Sequence, residues 1–273
     1  MANTGRIRVG VGGWVFEPWR GTFYPAGLKQ ADELAYMSRR VTVIEINSTY
    51  YGSQKPETFA KWAAATPEGF KFSVKGSRFC TNRRDLSGAG ESIERFFAQG
   101  VTELGDRLGP VLWQFAPTKQ LDEADFEAFL ALLPKTAGGL QLRHVVEVRH
   151  DSFRSSAFIA LLRRFGVGVV HAEHASYPGI WDQAGDLAYV RLQTGSDDCA
   201  TAYPPAALDL WADRFKTWAR GEAPDDLELV DPAHPAPQGP REVFAFVIHE
   251  GKIRAPAAAQ ALIERLGPDD AAA

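Results

Sequence analysis

Short apolar segments rich in Val, Ile and Phe recur along the chain, and their length and composition predict buried β-strands. Eight such segments are present: IRVGVG from Ile7, VTVIEI from Val41, FKFSVK from Phe70, PVLWQF from Pro110, HVVEVR from His144, GVGVVH from Gly166, LAYVRL from Leu187 and VFAFVI from Val243. Between them, apolar positions at 3.6-residue spacing predict helices over 31–39, 56–65, 91–107, 123–133, 153–165, 206–220 and 256–266. The connection at 172–186 is short and rich in Pro and Gly, so we expect no more than one helical turn there.

Eight strands that alternate with helices predict an α/β fold of the (β/α)8 type, the TIM barrel, which typically has about 250 residues. A Rossmann fold is disfavoured because GVGGW leads into an aromatic loop with two prolines rather than into a helix. We therefore expect a single TIM-barrel domain over 1–273 with its core at about 7–267. Residues 221–240 hold five prolines and no periodicity, which predicts an irregular insertion before the last strand.

Polar residues gather at the C-terminal ends of the predicted strands, although strands of a closed parallel barrel are usually apolar on both faces. These residues are Glu45 and Asn47, Lys75, Gln114, Glu147, Arg149 and His150, His171 and Glu173, Arg191 and Gln193, and His249 and Glu250. In a TIM barrel the active site lies at this end, where eight βα loops converge. The pattern thus predicts both the barrel and a polar pocket at its C-terminal face.

The period of two along a strand places Glu45 with Asn47, and Glu147 with Arg149, on one side, which we expect to face inward. Alternate strands of a barrel contribute the side chains of one layer. We therefore expect Lys75, Arg191 and either Glu147 or Arg149 to share a layer. A second layer would hold Glu45, Gln114 and His171. Because Glu147 and Arg149 are about 6–7 Å apart along the strand, they need not pair with each other.

The composition narrows the possible partners. The chain has 30 Lys and Arg against 34 Asp and Glu, a net charge of −4, so there is no bulk positive field for a nucleic acid. The two cysteines, Cys80 and Cys199, lack CxxC spacing and favour a reducing compartment. The N-terminal segment lacks the apolar core of a signal peptide, and no segment reaches the roughly 18 apolar residues of a membrane span. We expect a cytoplasmic protein with no membrane partner.

Several ordered motifs resemble one family over nearly the whole chain, from about Val9 to Leu266. The motifs are GGWVFEPWRGTFYP, VTVIEINSTYYGSQKPETFAKWAAATPEGFKFSVK, GPVLWQFAP, VVEVRHDSF and YVRLQTG, and they resemble the YecE-like proteins, domain-of-unknown-function family 72. The resemblance implies a TIM barrel and brings no assigned activity. Matching polar positions are Trp14, Trp19, Glu45, Asn47, Lys75, Gln114, Glu147, Arg149, His150 and Arg191.

The chain also departs from the family pattern in three places. Gln193 and Thr194 stand where the family usually has His-Gly, and 248–250 replace an Asn-Asn-Asp type motif. The segment 171–173 lacks a customary Asp. If these positions carry the family's reaction, the resemblance implies a changed substrate or a lost activity.

Our first hypothesis for the chemistry is a hydrolase or lyase that acts on an anionic small molecule. Cationic strand ends suit a phosphate or carboxylate through charge-assisted contacts. The expected substrate-binding residues are Trp14, Asn47, Lys75, Gln114, Arg149 and Arg191. Glu147 would act as general acid or base, with His150 and Glu45 as alternatives.

Two alternatives remain open from the sequence. A metal-dependent hydrolase or phosphodiesterase would place a divalent metal on His171, Glu173, His174 and His249, although no tight ligand spacing supports it and we predict no cofactor. A non-enzymatic module would stack sugar rings or nucleic-acid bases on the aromatic residues of the first two βα loops. The oligomeric state is left open.

Overall fold

Eight parallel strands form a closed barrel in a computed structural model that describes residues 4–270. They are β1 Ile7–Gly12, β2 Val43–Ile46, β3 Lys71–Lys75, β4 Leu108–Gln114, β5 His144–Glu147, β6 Gly168–Glu173, β7 Leu187–Thr194 and β8 Glu242–Glu250. Each strand pairs with its neighbours in sequence, and β8 pairs with β1 in parallel register from Ile7 with Val243 to Val11 with Val247. This closure confirms the predicted (β/α)8 architecture.

Helices follow the strands and cover the outside of the barrel. Within residues 4–270 they are α1 Glu33–Met37, α2 Ser48–Tyr51, α3 Pro56–Ala64, α4 Arg78–Thr81, α5 Gly90–Ala98, α6 Glu123–Leu132, α7 Ser156–Phe165, α8 Pro205–Arg220 and α9 Ala255–Asp270. Local sequence sets several of their ends. The Asp122 and Ser155 side chains accept from backbone N–H groups in the first turns of α6 and α7, and α8 ends at Gly221 in the left-handed conformation.

The single helix predicted over 91–107 is wrong. The chain forms α5 and then a 3-10 segment, Val101–Arg107, with Gly100 between them at φ 103°. A Cβ at this position would lie 2.6 Å from the Cα of Pro56, so the helix ends where α3 approaches it. Short helices α2 and α4 and several 3-10 turns were also absent from the sequence-based prediction.

Side chains separate into two packed layers. Val43, Leu112, Val145, Tyr189 and Phe246 belong to a cluster inside the barrel. The alternate strand residues pack outward against the helices in a second, larger cluster. The C-terminal part of the barrel interior is filled by polar side chains instead, and these form the site described below.

Polar residues also occupy the N-terminal end of the barrel, which the sequence pattern did not indicate. Arg8 and Arg143 both approach the carboxylate of Glu242, with N···O distances of 3.4 and 2.7 Å. Arg8 also donates to the carbonyl of Gly69 at 2.6 Å. These ion pairs close the end opposite to the candidate site.

The two segments expected to be irregular lack helices and strands. Residues 174–186 connect β6 to β7, and 221–240 precede β8. The backbone N–H groups of Val230 and Asp231 both donate to the carboxylate of Asp182 at 2.8 Å, which attaches the second segment to the first. Among residues 4–270, none of the helices combines the length and the apolar composition needed to cross a membrane.

Candidate functional site

A cavity of about 830 Å³ opens at the C-terminal ends of the strands. Its wall includes all six residues that the sequence pattern proposed for substrate binding: Trp14, Asn47, Lys75, Gln114, Arg149 and Arg191. Glu45 and Glu147 are fully buried and bind the arginines of that wall. The structure therefore brings together polar residues from five of the strands or the loops directly after them.

Arg191 of β7 lies at the centre of this group and is 5% exposed. Its Nη2 donates to Glu45 Oε1 at 3.0 Å, and its Nη1 donates to Glu147 and, at 3.5 Å, to Gln114 Oε1. Tyr189, two residues earlier, donates its hydroxyl to Glu45 Oε2 at 2.6 Å. Burial opposes the charge, but the carboxylates of Glu147 and Glu45 raise the pKa of Arg191, so the guanidinium stays charged.

Glu147 and Arg149 pair directly, which corrects the expectation that they need not pair. Arg149 Nε donates to Glu147 Oε1 at 2.7 Å, and Arg191 occupies Oε2. The long arginine side chain spans the two-residue rise of the strand. Burial would raise the pKa of Glu147, but Arg191, Arg149 and Lys75 outweigh it and lower that pKa. Glu147 is thus an anion with both oxygens occupied.

Lys75 differs from the arginines because no hydrogen bond or ion pair of its Nζ is found in residues 4–270. The side chain is 6% exposed, and Nζ lies 4.5 Å from the centroid of the Tyr50 ring. Burial, together with the positive charge of Arg191, lowers the pKa of Lys75 to about 8, although Glu45 and Glu147 oppose the shift. A lysine in this state exchanges its proton near neutral pH.

The remaining predicted residues complete the wall. Gln114 Oε1 accepts from Arg149 Nη2 at 2.8 Å, and Asn47 Nδ2 donates to the carbonyl of Glu45 at 3.3 Å. Trp14 meets Trp62 of α3 edge to face, with ring centroids 5.1 Å apart. The wall therefore combines aromatic and cationic side chains.

Sequence reasoning missed two residues of this site. Tyr189 positions Glu45, and its signal was available because it lies two residues before Arg191 on the same side of β7. Trp62 lies in the cavity wall. The spacing of apolar positions predicted only that it belongs to a helix over 56–65. Gln193, noted as a departure from the family pattern, also lies in the wall, and its buried Nε2 has no partner in residues 4–270.

His150 is not part of the cavity wall, which corrects its expected place in the pocket. Its Nδ1 accepts from the backbone N–H of Ser152 at 3.1 Å and caps the 3-10 turn Asp151–Phe153. The β5 strand ends at Glu147, and His150 lies in the loop that comes after it. Geometry favours a capping role.

The alternative metal site is not assembled. His171 points outward, stacks on Trp218 at 4.8 Å and bonds the carbonyl of Ile180, and burial lowers its pKa to about 4. The expectation that His171 shares an inward layer with Glu45 and Gln114 is therefore wrong. Val170 and Ala172 take the inward positions of β6. Glu173 accepts from Tyr203 instead, at 2.9 Å. No cluster of three or more His, Cys, Asp or Glu residues in 4–270 is arranged to hold a metal.

Comparison with known proteins places this barrel in a family. The family model described as "Protein of unknown function DUF72" matches residues 8–273. The chain belongs to the DUF72 family. The match confirms the resemblance seen in the sequence motifs.

Solved DUF72 structures share the fold. A DUF72 family protein from Thermotoga maritima MSB8 is 21% identical, with a TM-score of 0.69 over 94% of this chain and 96% of the other. One from Enterococcus faecalis V583 is 14% identical, with a TM-score of 0.70 over 97% and 98%. The curated UPF0759 protein YunF of Bacillus subtilis (strain 168) is 27% identical over 116 residues, which is 41% of this DUF72 chain and 40% of that relative.

Proposed function

We propose that this DUF72 chain is an enzyme that acts on a small molecule carrying a phosphate or carboxylate group, by hydrolase or lyase chemistry. One observation carries the proposal: among residues 4–270, the cavity wall contains four cationic side chains and no Asp or Glu. The cations are Lys75, Arg149, Arg191 and Lys252. Guanidinium and ammonium groups in a partly desolvated pocket are the usual partners of such anions.

The charge balance of the site favours an anion even though the whole chain is acidic. Four cations in the wall and the two carboxylates bound to them leave +2 when both lysines are protonated. Lys252 Nζ lies 4.3 Å from the centroid of the Phe16 ring, and burial lowers its pKa. Lys75 and Lys252 therefore supply positive charge that no carboxylate in 4–270 pairs with.

The size of the cavity and its aromatic residues indicate a small molecule. Its volume of about 830 Å³ lies in the range of cavities that bind metabolites and cofactors. Trp14, Trp19, Tyr51 and Trp62 are part of the wall. Aromatic faces of this kind pack against the ring or carbon chain of a ligand while the cations hold its anionic group.

Lys75 is the residue we propose for proton transfer. Its pKa of about 8 allows it to give and accept a proton at neutral pH. Glu147 and Glu45, expected from the sequence as acids or bases, would instead hold Arg191 and Arg149 in place. Their oxygens are occupied by these partners and by Tyr189.

A non-enzymatic sugar-binding module is the second candidate, and exposed apolar residues at the cavity favour it. Val15 and Tyr51 line the cavity and are 51% and 66% exposed. Exposed aromatic rings stack on sugars and on bases. The net charge of −4 weighs against a nucleic acid as the partner.

A thermal-shift panel tests the proposal. Phosphate, sulfate, citrate and sugar phosphates are added to the wild type and to the double variant Lys75→Met/Lys252→Met, which leaves no buried carboxylate without its arginine. An anion at 100 times its Kd stabilises by about 2.7 kcal/mol, which corresponds to roughly 5–10 °C in Tm for this size. We expect a clearly smaller shift in the double variant.

Lys135→Met serves as the matched control because Lys135 is exposed and lies before β5, far in sequence from every cavity residue. This variant should shift like the wild type. Equal shifts in the wild type and the double variant with every anion would refute the anion site. Shifts with neutral sugars and with no anion would establish the second candidate instead.

A further inference from the structure

Lys75 is an amine in a cavity where the two neighbouring carboxylates already bind other donors. Both oxygens of Glu147 bind arginines. Glu45 uses one oxygen for Arg191 and the other for the hydroxyl of Tyr189. Each of the four carboxylate oxygens has another donor, and in residues 4–270 none of them pairs with the Nζ of Lys75.

Half-buried lysines away from the cavity do have acceptors. Lys119 Nζ lies 2.7 Å from an oxygen of Asp125, and Lys216 Nζ donates to the carbonyl of Arg265 at 3.1 Å. Lys71 donates to the carbonyl of Asp106. Among the buried and half-buried lysines, only Lys75 and Lys252 lack an acceptor in 4–270, and both belong to the cavity wall.

The surroundings of Lys75 are those that activate a lysine as a nucleophile. Desolvation and nearby positive charges favour the neutral amine, and only the neutral amine has a free electron pair. Here the charges are Arg191 and Arg149, and the pKa of Lys75 is about 8. The Tyr50 ring covers one side of Nζ at 4.5 Å, and its hydroxyl accepts from Asn82 Nδ2 at 3.0 Å, which holds the ring.

We propose that Lys75 forms an imine with the carbonyl carbon of the substrate, and that the substrate is an aldehyde or ketone with a phosphate or carboxylate group. The neutral Nζ adds to the carbonyl carbon: a C–N bond forms, the C=O π bond breaks, and a proton moves from Nζ to the carbonyl oxygen. The resulting carbinolamine loses its hydroxyl group and the remaining Nζ proton as one water molecule, which leaves C=N. The step needs no oxidant or reductant, and it rests on the proposed function because the cations must hold the anionic group.

The charges around Lys75 also suit the product of this step. Glu45 and Glu147 lie close enough to stabilise the positive charge of a protonated imine.

Reductive trapping tests this proposal. The full chain is incubated with pyruvate or with dihydroxyacetone phosphate and sodium cyanoborohydride, and its intact mass is measured. We expect one adduct, heavier by the carbonyl compound less one oxygen atom, and peptide mapping should place it on Lys75. The rate of labelling should rise with pH and level off above about 8, since the neutral amine reacts.

Three variants serve as controls. Lys75→Arg keeps the charge, Lys75→Met removes it, and both should lose the adduct at this peptide, whereas Lys135→Met should keep it. Labelling on Lys252, labelling spread over surface lysines, or equal labelling of Lys75→Arg would overturn the proposal. A wild type that is stabilised by anions but not labelled would refute the imine and leave the proposed function standing. If added phosphate does not slow the labelling, the result counts against the anion site instead.

Discussion

At the residue scale, the site is organised by one buried guanidinium. Arg191 binds Glu45 on one side and Glu147 on the other, and Arg149 shares the second carboxylate. Buried charges are stable only when they are paired and hydrogen-bonded. The cluster therefore depends on each of its members, and the removal of one leaves another charge unpaired.

Glu147→Gln should lower the free energy of unfolding by about 3–5 kcal/mol, because it leaves two arginines short of a counter-charge. Denaturant unfolding of the wild type and the variant measures this difference. Glu127→Gln is the control: Glu127 pairs with Arg164 on the surface, where both side chains are about half exposed, and such pairs contribute about 0–1 kcal/mol. A stable Glu147→Gln protein that loses activity would instead restore Glu147 as a working carboxylate.

The pH dependence of that difference follows from the lowered pKa of Glu147. A carboxylate whose pKa is lower in the folded state stabilises the fold above its unfolded pKa, and this contribution is lost as pH falls through the folded pKa. The stability difference between the wild type and Glu147→Gln should therefore be constant near neutral pH and shrink below about pH 4.5. Unfolding series at several pH values measure it. A difference that grows towards acid would contradict the ion-pair role.

At the element scale, the alternation of side chains along each strand decides which residues reach the cavity. On β7, Tyr189, Arg191 and Gln193 share the inward side. On β6, the inward side belongs to Val170 and Ala172, so His171 lies under α8. One strand thus supplies three polar residues to the interior, and its neighbour supplies apolar ones.

His171→Ala should destabilise the protein by about 2–4 kcal/mol, since it removes a buried ring and its hydrogen bonds. It should leave the anion-induced shift in Tm unchanged, because the ring faces away from the cavity. Thermal unfolding with and without phosphate checks both statements. Loss of the anion response in a variant that still folds would show that β6 contributes to the site.

Gly100→Ala should cost about 2–4 kcal/mol, because a Cβ there meets Pro56 in addition to the strain of a positive φ. Gly139→Ala is matched to it: this glycine has φ 79° and open space around it, so strain alone should cost about 1 kcal/mol. Denaturant midpoints of the two variants compare them directly. Equal costs would mean that α3 moves away from the break after α5.

At the scale of the whole molecule, the acidic chain surrounds an electropositive cavity. The net charge is −4, yet the cavity wall and its two bound carboxylates amount to +2 with both lysines protonated. Long polyanions feel the field of the whole surface, whereas a small anion inside the cavity feels mainly the near groups. Small molecules and nucleic acids should therefore respond differently to salt.

Raising NaCl from about 50 to 200 mM should weaken the binding of a sugar phosphate by less than about tenfold, since partly buried pairs are weakly screened. A nucleic acid held by 6–10 phosphate contacts would lose about 10³–10⁵ over the same range. Calorimetric titration of the sugar phosphate, with a single-stranded oligonucleotide as competitor, measures both. Displacement of the sugar phosphate by the oligonucleotide at 200 mM would favour a nucleic-acid function.

The fold was determined by patterns that lie close together in the sequence. Eight apolar segments separated by helical periodicity predict a barrel, because each element must bury its own apolar face. Polar residues at the strand ends predict the cavity, because parallel strands end at one face. The helix ends of α3, α6 and α8 lie within one or two residues of the predicted ones for the same local reason.

Only the tertiary structure decided which charges pair. Arg191 reaches both Glu45 and Glu147, which are 146 and 44 residues away in sequence, because the register between strands brings them together. Lys75 is left without an ion pair, while Arg191, Arg149 and Tyr189 bind the oxygens of the two neighbouring carboxylates. The outward position of His171 was not predicted from the sequence, because strands covered on both sides carry no periodicity that marks the inner one. Spacing along the chain decides which residues share one side of a strand. The contacts between strands decide which charged side chains pair and which lysine stays unpaired.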